Sequence, residues 1–301
     1  MVKINTLDTE QRNTATGDID KLDTIEIVKL INSEDKKIAG AVEAVIPSIA
    51  KAVDGIYQKL LHGGRLIYTG AGTSGRLGLL DAVECPPTFS VEYDMVMALL
   101  AGGPEAFIKA KEGAEDSMEL GASDLKDINF SKNDALVGIA ASGRTPYVIG
   151  AMEHARSAGG FTVALSCTRN SEISKFADVD ITPQPGPEVI TGSTRMKSGT
   201  AQKMVLNMLS TVTMIKLGKT YGNLMVDVRA TNQKLVARAQ NIVCMATGVT
   251  EEKALETLNL CNFSAKNAIL MILADVDYQT SQDALEKFEG RIYLALNHLS
   301  N

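Results

Sequence analysis

Four short apolar runs, each bounded by turn residues, constrain the fold of this chain more than any other feature of its sequence. They are RLIYTG (65–70), ALVGIA (135–140), FTVALS (161–166) and VDI (179–181). Such runs are typical of strands that are buried on both faces, and most of them are separated by segments with helical patterning. Strands that alternate with helices pair in parallel. We therefore predict an α/β fold in which helices flank a doubly wound, mainly parallel sheet.

The residues before the first strand predict a polar arm and one long helix. Residues 1–24 lack apolar periodicity, so we predict an arm that extends over the surface or onto a partner subunit. From Ser33 to His62, apolar residues recur at steps of about three and four positions, which predicts a single amphipathic helix. We expect Pro47 to bend this helix and Gly63-Gly64 to end it.

The last third of the chain is predicted to be helical. Residues 196–217 and about 231–246 are helix-rich, and the segment after them has the pattern of short helices, one of which begins after Thr250 as its cap. No group of residues in this tail suggests catalysis. We therefore predict two domains: residues 1–245 carry the arm, the long helix and the sheet, and residues 246–301 form a small helical subdomain.

The first predicted strand runs into GAGTSGRLG, a turn rich in glycine and hydroxyl groups. Its glycines have the spacing of a dinucleotide-binding loop, but that interpretation also needs an acid at the end of a second strand. A P-loop is excluded because no Gly-Lys-Ser/Thr closes the turn. Glycines let backbone amides converge on an anion, and the hydroxyls of Thr73 and Ser74 add donors for phosphate or sugar oxygens. Taken alone, the turn is equally compatible with a helix cap at Thr73 or Ser74.

Two further turns have the same character. The second predicted strand ends in ASGRTP, with Pro146 suited to a first helical turn, and residues 185–203 lead into another helix. The carboxyl ends of parallel strands meet at one edge of a sheet, so three hydroxyl-rich turns favour a phosphate site over capping. The cations in the third turn, Arg195, Lys197 and Lys203, are either a solvated face or anion partners at a helix start. The candidate binding residues are Gly72, Thr73, Ser74, Ser142, Gly143, Arg144, Thr145, Ser193, Thr194, Lys197 and Ser198.

Composition argues against several classes of function. A net charge of −6 without a basic tract disfavours nucleic acid as the main partner. The chain has no apolar run of about 18 residues and no signal peptide, so we expect a cytoplasmic protein that does not enter a membrane. Four cysteines without a CxxC motif and three histidines without metal-ligand spacing suggest neither a disulfide framework nor a metal site. We expect chemistry that uses carboxylates, hydroxyls and backbone dipoles, with no cofactor.

Four segments resemble the N-acetylmuramic acid 6-phosphate etherases, a family whose core is a sugar-isomerase (SIS) domain. They are GAGTSGRLGLLDAVECPPTF (70–89), ASGRTPYVIGAMEHA (141–155), PEVITGSTRMKSGTAQKMVLNMLST (187–211) and GKTYGNLMVDVRATNQKL (218–235). The resemblance extends from TEQRN (9–13) to about residue 240. It implies a SIS-type fold and cleavage of the lactyl ether at C3 of a phosphorylated amino sugar, with Glu84 and Glu115 as the two catalytic carboxylates. It also implies a homodimer, which the continuous apolar face predicted for residues 33–62 favours.

The implied reaction accounts for two carboxylates without a metal. The ether oxygen needs a proton from a general acid, assigned to Glu84, and the C2 proton of the open-chain aldehyde needs a base, assigned to Glu115. The apolar neighbours of Glu84 predict a desolvated carboxyl that stays protonated at neutral pH: Val83, Cys85, Pro86, Pro87 and Phe89. Without the resemblance, Glu115 is as well explained as part of a solvated acidic face with Glu112, Asp116 and Glu119.

Two other functions fit the same fold. An aldose–ketose phosphate isomerase would use a similar phosphate site, but the pairing of GSTRMKSGTAQK with VECPPTF is the pattern of the etherases. A non-catalytic sugar-phosphate sensor would resemble the glucokinase regulatory proteins, which carry two SIS domains in a much longer chain. A DNA-binding repressor is disfavoured because no basic helix-turn-helix precedes the first strand.

Overall fold

The computed structural model describes residues 8–109, 111–228 and 232–300 and divides the chain into two compact units. The first comprises the described residues of Met1–Val83 and Tyr93–Ser210, and the second those of Glu84–Glu92 and Thr211–Asn301. Residues 1–7 of the predicted arm and residue 231, the first of a predicted helix, lie outside the described residues. The domain boundary at residue 245 stays a prediction, which limited proteolysis would test.

The first unit is built on a parallel sheet. Its strands lie in the order β2-β1-β3-β4-β5, and every neighbouring pair is parallel. The bounds are β1 Leu66–Gly70, β2 Val96–Leu100, β3 Ala135–Ile139, β4 Phe161–Leu165 and β5 Val179–Ile181. The four strands that the sequence predicted are confirmed, and β1 and β3, which carry two of the hydroxyl-rich turns, are direct neighbours.

The edge strand β2 was not predicted. Its residues, VMALL, include Met, Ala and Leu, which also favour helices, so the run does not distinguish a strand from a short buried helix. Only its position in the sheet identifies it, because its residues pair with β1 in register from Leu66–Val96 to Gly70–Leu100.

Helices alternate with most of the strands along the chain. Their bounds are α1 Thr24–Glu43, α2 Ile46–Leu61, α3 Gly72–Phe89, α4 Met118–Asp127, α5 Pro146–Ser157, α6 Lys197–Lys216, α7 Gln233–Thr247, α8 Glu251–Leu260, α9 Ala265–Ala274, α10 Tyr278–Lys287 and α11 Ile292–Leu299. Among the described residues, no helix combines the length and the apolarity needed to cross a membrane.

The prediction of one helix over residues 33–62 is wrong. The chain forms α1 and α2 instead, with a break after Glu43 and with Pro47 in the first turn of α2. Proline lacks the amide hydrogen that a helix interior needs but fits a first turn, so the helix restarts rather than bends. Helix α1 also begins earlier than predicted, at a capping box between Asp23 and Glu26.

The described part of the N-terminal arm is not extended. Residues 8–21 form three short 3-10 turns, and Thr9, Asn13 and Thr16 are buried. The Thr16 hydroxyl donates to the Val189 carbonyl at 2.8 Å, and the Asn13 amide donates to the Glu34 carboxylate at 3.0 Å. The arm therefore packs on its own unit, beside the segment that leads into α6.

The second unit is mainly helical, as predicted for the tail. A short antiparallel hairpin, β6 Thr220–Tyr221 and β7 Leu224–Met225, precedes helices α7 to α11. The predicted cap is confirmed, because the Thr250 side chain accepts a hydrogen bond from the Lys253 amide at the start of α8. Ile242 of α7 shares one apolar core with residues of the later helices, such as Leu258 and Ile269.

Candidate active site

The three hydroxyl-rich turns meet around one cavity of about 320 Å³ in the first unit. They meet because Gly70 of β1 pairs with Ile139 of β3, so both strands end at the same edge of the sheet. The residues that line the cavity are Ala71, Gly72, Thr73 and Ser74 of the first turn, Ala140, Ala141, Ser142, Arg144, Thr145 and Pro146 of the second, Thr194 of the third, and Glu10, Glu115 and Asp116.

Close backbone contact shapes the first turn. A Cβ atom on Gly75 would lie 2.4 Å from the Gly70 carbonyl oxygen, so only glycine lets the start of α3 approach the end of β1 this closely. Ser74 is buried, and its hydroxyl donates to the Gln202 side-chain oxygen of α6 at 2.9 Å. A Cβ atom on Gly199 would lie 3.4 Å from the Thr73 methyl carbon, which shows that α6 begins against the first turn.

The second turn leaves hydroxyl groups at the cavity. Thr145 occupies the N-cap position of α5, but its side chain makes no capping hydrogen bond, which counts against the interpretation that it is only a helix cap. The Ser142 hydroxyl accepts a bond of 3.4 Å from the Arg144 amide. Gly143 is a turn residue rather than a lining residue: its φ is +67°, and a Cβ atom there would lie 2.2 Å from Ser171.

The third turn contributes less to the cavity than the sequence predicted. Thr194 lines it, whereas Ser193 is half-buried outside the lining. Lys197 and Ser198 are buried, and both of their amides donate to the Glu188 carboxylate at 2.9 Å. The start of α6 is thus occupied by a carboxylate of the chain itself, so the structure does not bring Lys197 and Ser198 together with the cavity.

The Lys197 side chain belongs to a buried charge network. Its ammonium lies 2.7 Å from the Glu34 carboxylate and donates to the Pro187 carbonyl at 3.0 Å. Burial by itself would raise the pKa of Glu34, but hydrogen bonds from Lys197, Lys37 and Asn13 lower the pKa to about 2. This network ties α1, the N-terminal arm and the start of α6 together.

Three carboxylates reach the cavity. Glu115 and Asp116 lie in the 3-10 turn Ala114–Asp116, which follows Gly113 in the left-handed conformation. Glu10 comes from the N-terminal arm, and sequence analysis did not single it out because a polar segment without periodicity gives no local signal. Its carboxylate lies beside the third turn, since a Cβ atom on Gly192 would be 3.3 Å from Glu10 Oε2.

Glu84 belongs to the second unit and is not among the lining residues of the cavity. It is exposed, so its apolar neighbours do not bury it, contrary to the prediction. The helical period explains the difference: Cys85 and Phe89, four positions apart on α3, share the buried face, whereas Val83 and Glu84 are exposed.

The fold and the cavity define the class of protein, a SIS-domain protein. Residues 117–212 match the SIS domain family, and residues 48–156 match the N-terminal SIS domain of glucokinase regulatory protein. A phosphoheptose isomerase from Francisella tularensis has a similar fold, with a TM-score of 0.51 and 18% identity over 64% of this chain and all of that chain.

Relatives of known name define the family. The chain is 55% identical to an N-acetylmuramic acid 6-phosphate etherase of Clostridium beijerinckii over 100% of this chain and 99% of that protein. It is 56% identical to proteins of the same name from Clostridium botulinum (strain Langeland) and Aliivibrio fischeri, over 99% and 98% of this chain and 99% of each of those proteins. The chain therefore belongs to the N-acetylmuramic acid 6-phosphate etherase family.

Proposed function

We propose that this protein cleaves the D-lactyl ether of N-acetylmuramic acid 6-phosphate by elimination and rehydration. The products are N-acetylglucosamine 6-phosphate and D-lactate, in the recycling of cell-wall amino sugar. Identity of 55% with an etherase over the whole chain carries the proposal. The cavity supports it independently, because hydroxyl groups of three turns converge there with Glu115.

The hydroxyl groups and Arg144 form the proposed phosphate site. Ser142, Thr145 and Thr194 offer donors from two different turns, and Arg144 is the one cation among the lining residues that the structure describes. A phosphate accepts several charge-assisted hydrogen bonds at once, so donors that converge from separate turns suit it better than a neutral sugar hydroxyl. Lys197 and Ser198 are left out of this site because neither lines the cavity and because Glu188 and Glu34 already bond their amides and the Lys197 ammonium.

Glu115 is the proposed base and Glu84 the proposed acid. With C1 as an open-chain aldehyde, Glu115 removes the C2 proton, and the electrons form the C2–C3 double bond as the C3–O bond breaks. Glu84 protonates the departing lactate oxygen, and water then adds at C3 of the unsaturated aldehyde. Each proton transfer is expected to contribute about 10²–10⁴-fold to the rate. The position of Glu115 in the cavity supports its part, whereas that of Glu84 rests on the AVECPPTF resemblance.

Incubation with N-acetylmuramic acid 6-phosphate in ¹⁸O-water tests the function and the mechanism together. Lactate should be released, and the label should appear at C3 of the amino sugar. Label in lactate would mean attack on the lactyl carbon and would refute elimination. A phosphate isomerase or a non-catalytic sensor would release no lactate at all.

We also propose that the protein is a cytoplasmic homodimer. Cys167, Cys244 and Cys261 are free thiols, as expected in a reducing compartment. Ile25 and Val28 of α1 are 60% and 58% exposed and lie three positions apart on one helical face, which a second copy could cover. Light scattering after gel filtration should give twice the mass of one chain, and the mass of a single chain would contradict the dimer. Cell fractionation tests the compartment.

A further inference from the structure

A second cavity of about 140 Å³ adjoins the proposed phosphate site. Ala71, Gly72 and Glu115 line both cavities, so the proposed base lies at their junction. The other residues that line the second cavity are Arg76, Ala101, Ala106, Lys111, Glu112 and Gly113. The proposed function does not use this space.

Two carbonyls bond the Arg76 guanidinium, and its other N–H groups have no hydrogen bond to the part of the chain that the structure describes. Its Nε donates to the Phe107 carbonyl at 2.9 Å, and its Nη2 donates to the Ala106 carbonyl at 2.8 Å. A guanidinium has five N–H donors in a rigid fork, so three remain after these two bonds. The two carbonyls fix the orientation of the fork without neutralising its charge, which prepares it for an anion.

Lys111 adds a second positive charge to this cavity. Its aliphatic stem packs over Gly102, where a Cβ atom would lie 3.0 Å from Lys111 Cβ and which has a φ of +89°. Within residues 8–109, 111–228 and 232–300, neither Arg76 nor Lys111 forms an ion pair. Glu112 and Glu115 also line the cavity, so a ligand carboxylate is expected to bind at the two cations and away from these acids.

The substrate of the proposed reaction carries a second anion, the lactyl carboxylate, next to the carbon on which Glu115 acts. Its phosphate is on C6, the proton that Glu115 removes is on C2, and the lactyl ether with its carboxylate is on the adjacent carbon, C3. With the phosphate in the first cavity and C2 at the junction, the lactyl group continues into the second. A single water needs only about 10–15 Å³ of such space, so 140 Å³ has room for the lactyl group.

We propose that the second cavity binds the lactyl carboxylate, with Arg76 as the main partner and Lys111 as the second. This inference rests on the proposed function. It makes the two cations specificity residues, because N-acetylglucosamine 6-phosphate carries the phosphate but lacks the carboxylate. The same charges could instead bind the phosphate, and the experiment separates these two assignments.

The experiment compares the substrate with N-acetylglucosamine 6-phosphate in the full-length protein. Lys111→Met should lower kcat/KM for N-acetylmuramic acid 6-phosphate about fivefold, the upper range for an exposed ion pair. Arg76→Lys keeps the charge but loses the fork and should lower it at least tenfold. The inhibition constant of N-acetylglucosamine 6-phosphate should change less than twofold in both variants. Lys109→Met is the matched control, since Lys109 is exposed and lines neither cavity.

Each outcome decides between the assignments. Equal losses for substrate and inhibitor would place the cations at the phosphate and overturn the inference. Unchanged kcat/KM in both variants would also overturn it. If the unmodified protein binds N-acetylglucosamine 6-phosphate but releases no lactate, the proposed function itself fails, which is distinct from a failure confined to the variants. A circular dichroism melt of Arg76→Lys checks that this variant is folded, and Lys111→Met tests the proposal with the Arg76 bonds to Ala106 and Phe107 left in place.

Discussion

Replacement of Lys197 by methionine should destabilise the protein by at most about 3–5 kcal/mol, because it leaves the buried Glu34 carboxylate with only Lys37 and Asn13 as partners. The side chains of Lys197 and Glu34 are 1% and 3% exposed, and their charged atoms lie 2.7 Å apart. The pKa of Glu34 sets the scale of the whole network. Its fall from 4.5 to about 2 corresponds to about 3 kcal/mol, at about 1.4 kcal/mol per pKa unit, and Lys197 shares this with Lys37 and Asn13.

The loss of stability in Lys197→Met should depend on pH in a defined direction. Since folding lowers the pKa of Glu34 to about 2, its stabilisation is complete above pH 4.5 and is lost as the pH falls towards 2. In Lys197→Met the pKa of Glu34 should rise, so the variant can protonate Glu34 in mildly acidic solution. The difference in unfolding free energy between the two proteins should therefore be largest at pH 7 and smaller near pH 3.

Urea unfolding followed by circular dichroism measures this difference at each pH. Lys203→Met, an exposed position on the same helix, is the matched control and should change stability by less than about 0.5 kcal/mol. The double variant Glu34→Met/Lys197→Met should recover much of the loss, because an apolar pair replaces a buried carboxylate that has lost its buried cation. An unchanged urea midpoint in Lys197→Met, together with lost substrate affinity, would refute this reasoning and return Lys197 to the phosphate site.

Three further predictions concern catalysis and binding. Glu84→Gln should abolish lactate release yet still exchange the C2 proton with deuterated solvent if Glu115 is a separate base; absence of exchange by NMR would count against these roles. Activity should survive exhaustive chelation because the steps are proton transfers, and loss that a specific divalent ion restores would contradict this. Ser142→Ala should weaken binding of the phosphorylated substrate about ten- to a hundredfold, measured by calorimetry, and leave the unphosphorylated sugar nearly unaffected. Ser193→Ala, outside the cavity lining, is its comparison, and equal losses for both sugars would place Ser142 away from the phosphate.

The sequence by itself determined the elements that local chemistry specifies. Strands β1 and β3 are buried on both faces, so they read as continuous apolar runs, and the glycine and hydroxyl turns after them are recognisable without their neighbours. Thr250 was identifiable as a cap for the same reason, since a cap bonds to an amide three residues away. The proline at position 47 carried enough information to predict a disturbance of the helix, although not that the helix would restart.

Only the tertiary structure decided which polar residues line the cavity and which are bonded to other groups in the protein interior. Lys197 pairs with Glu34 from 163 positions away, and no local pattern shows that this lysine and the amides of α6 are already occupied. Glu10 reaches the cavity because Asn13 and Thr16 pack the arm beside residues 187–189. A buried charge is stable only when a partner neutralises it, and in this chain those partners are set by the packing of distant segments rather than by spacing along the sequence.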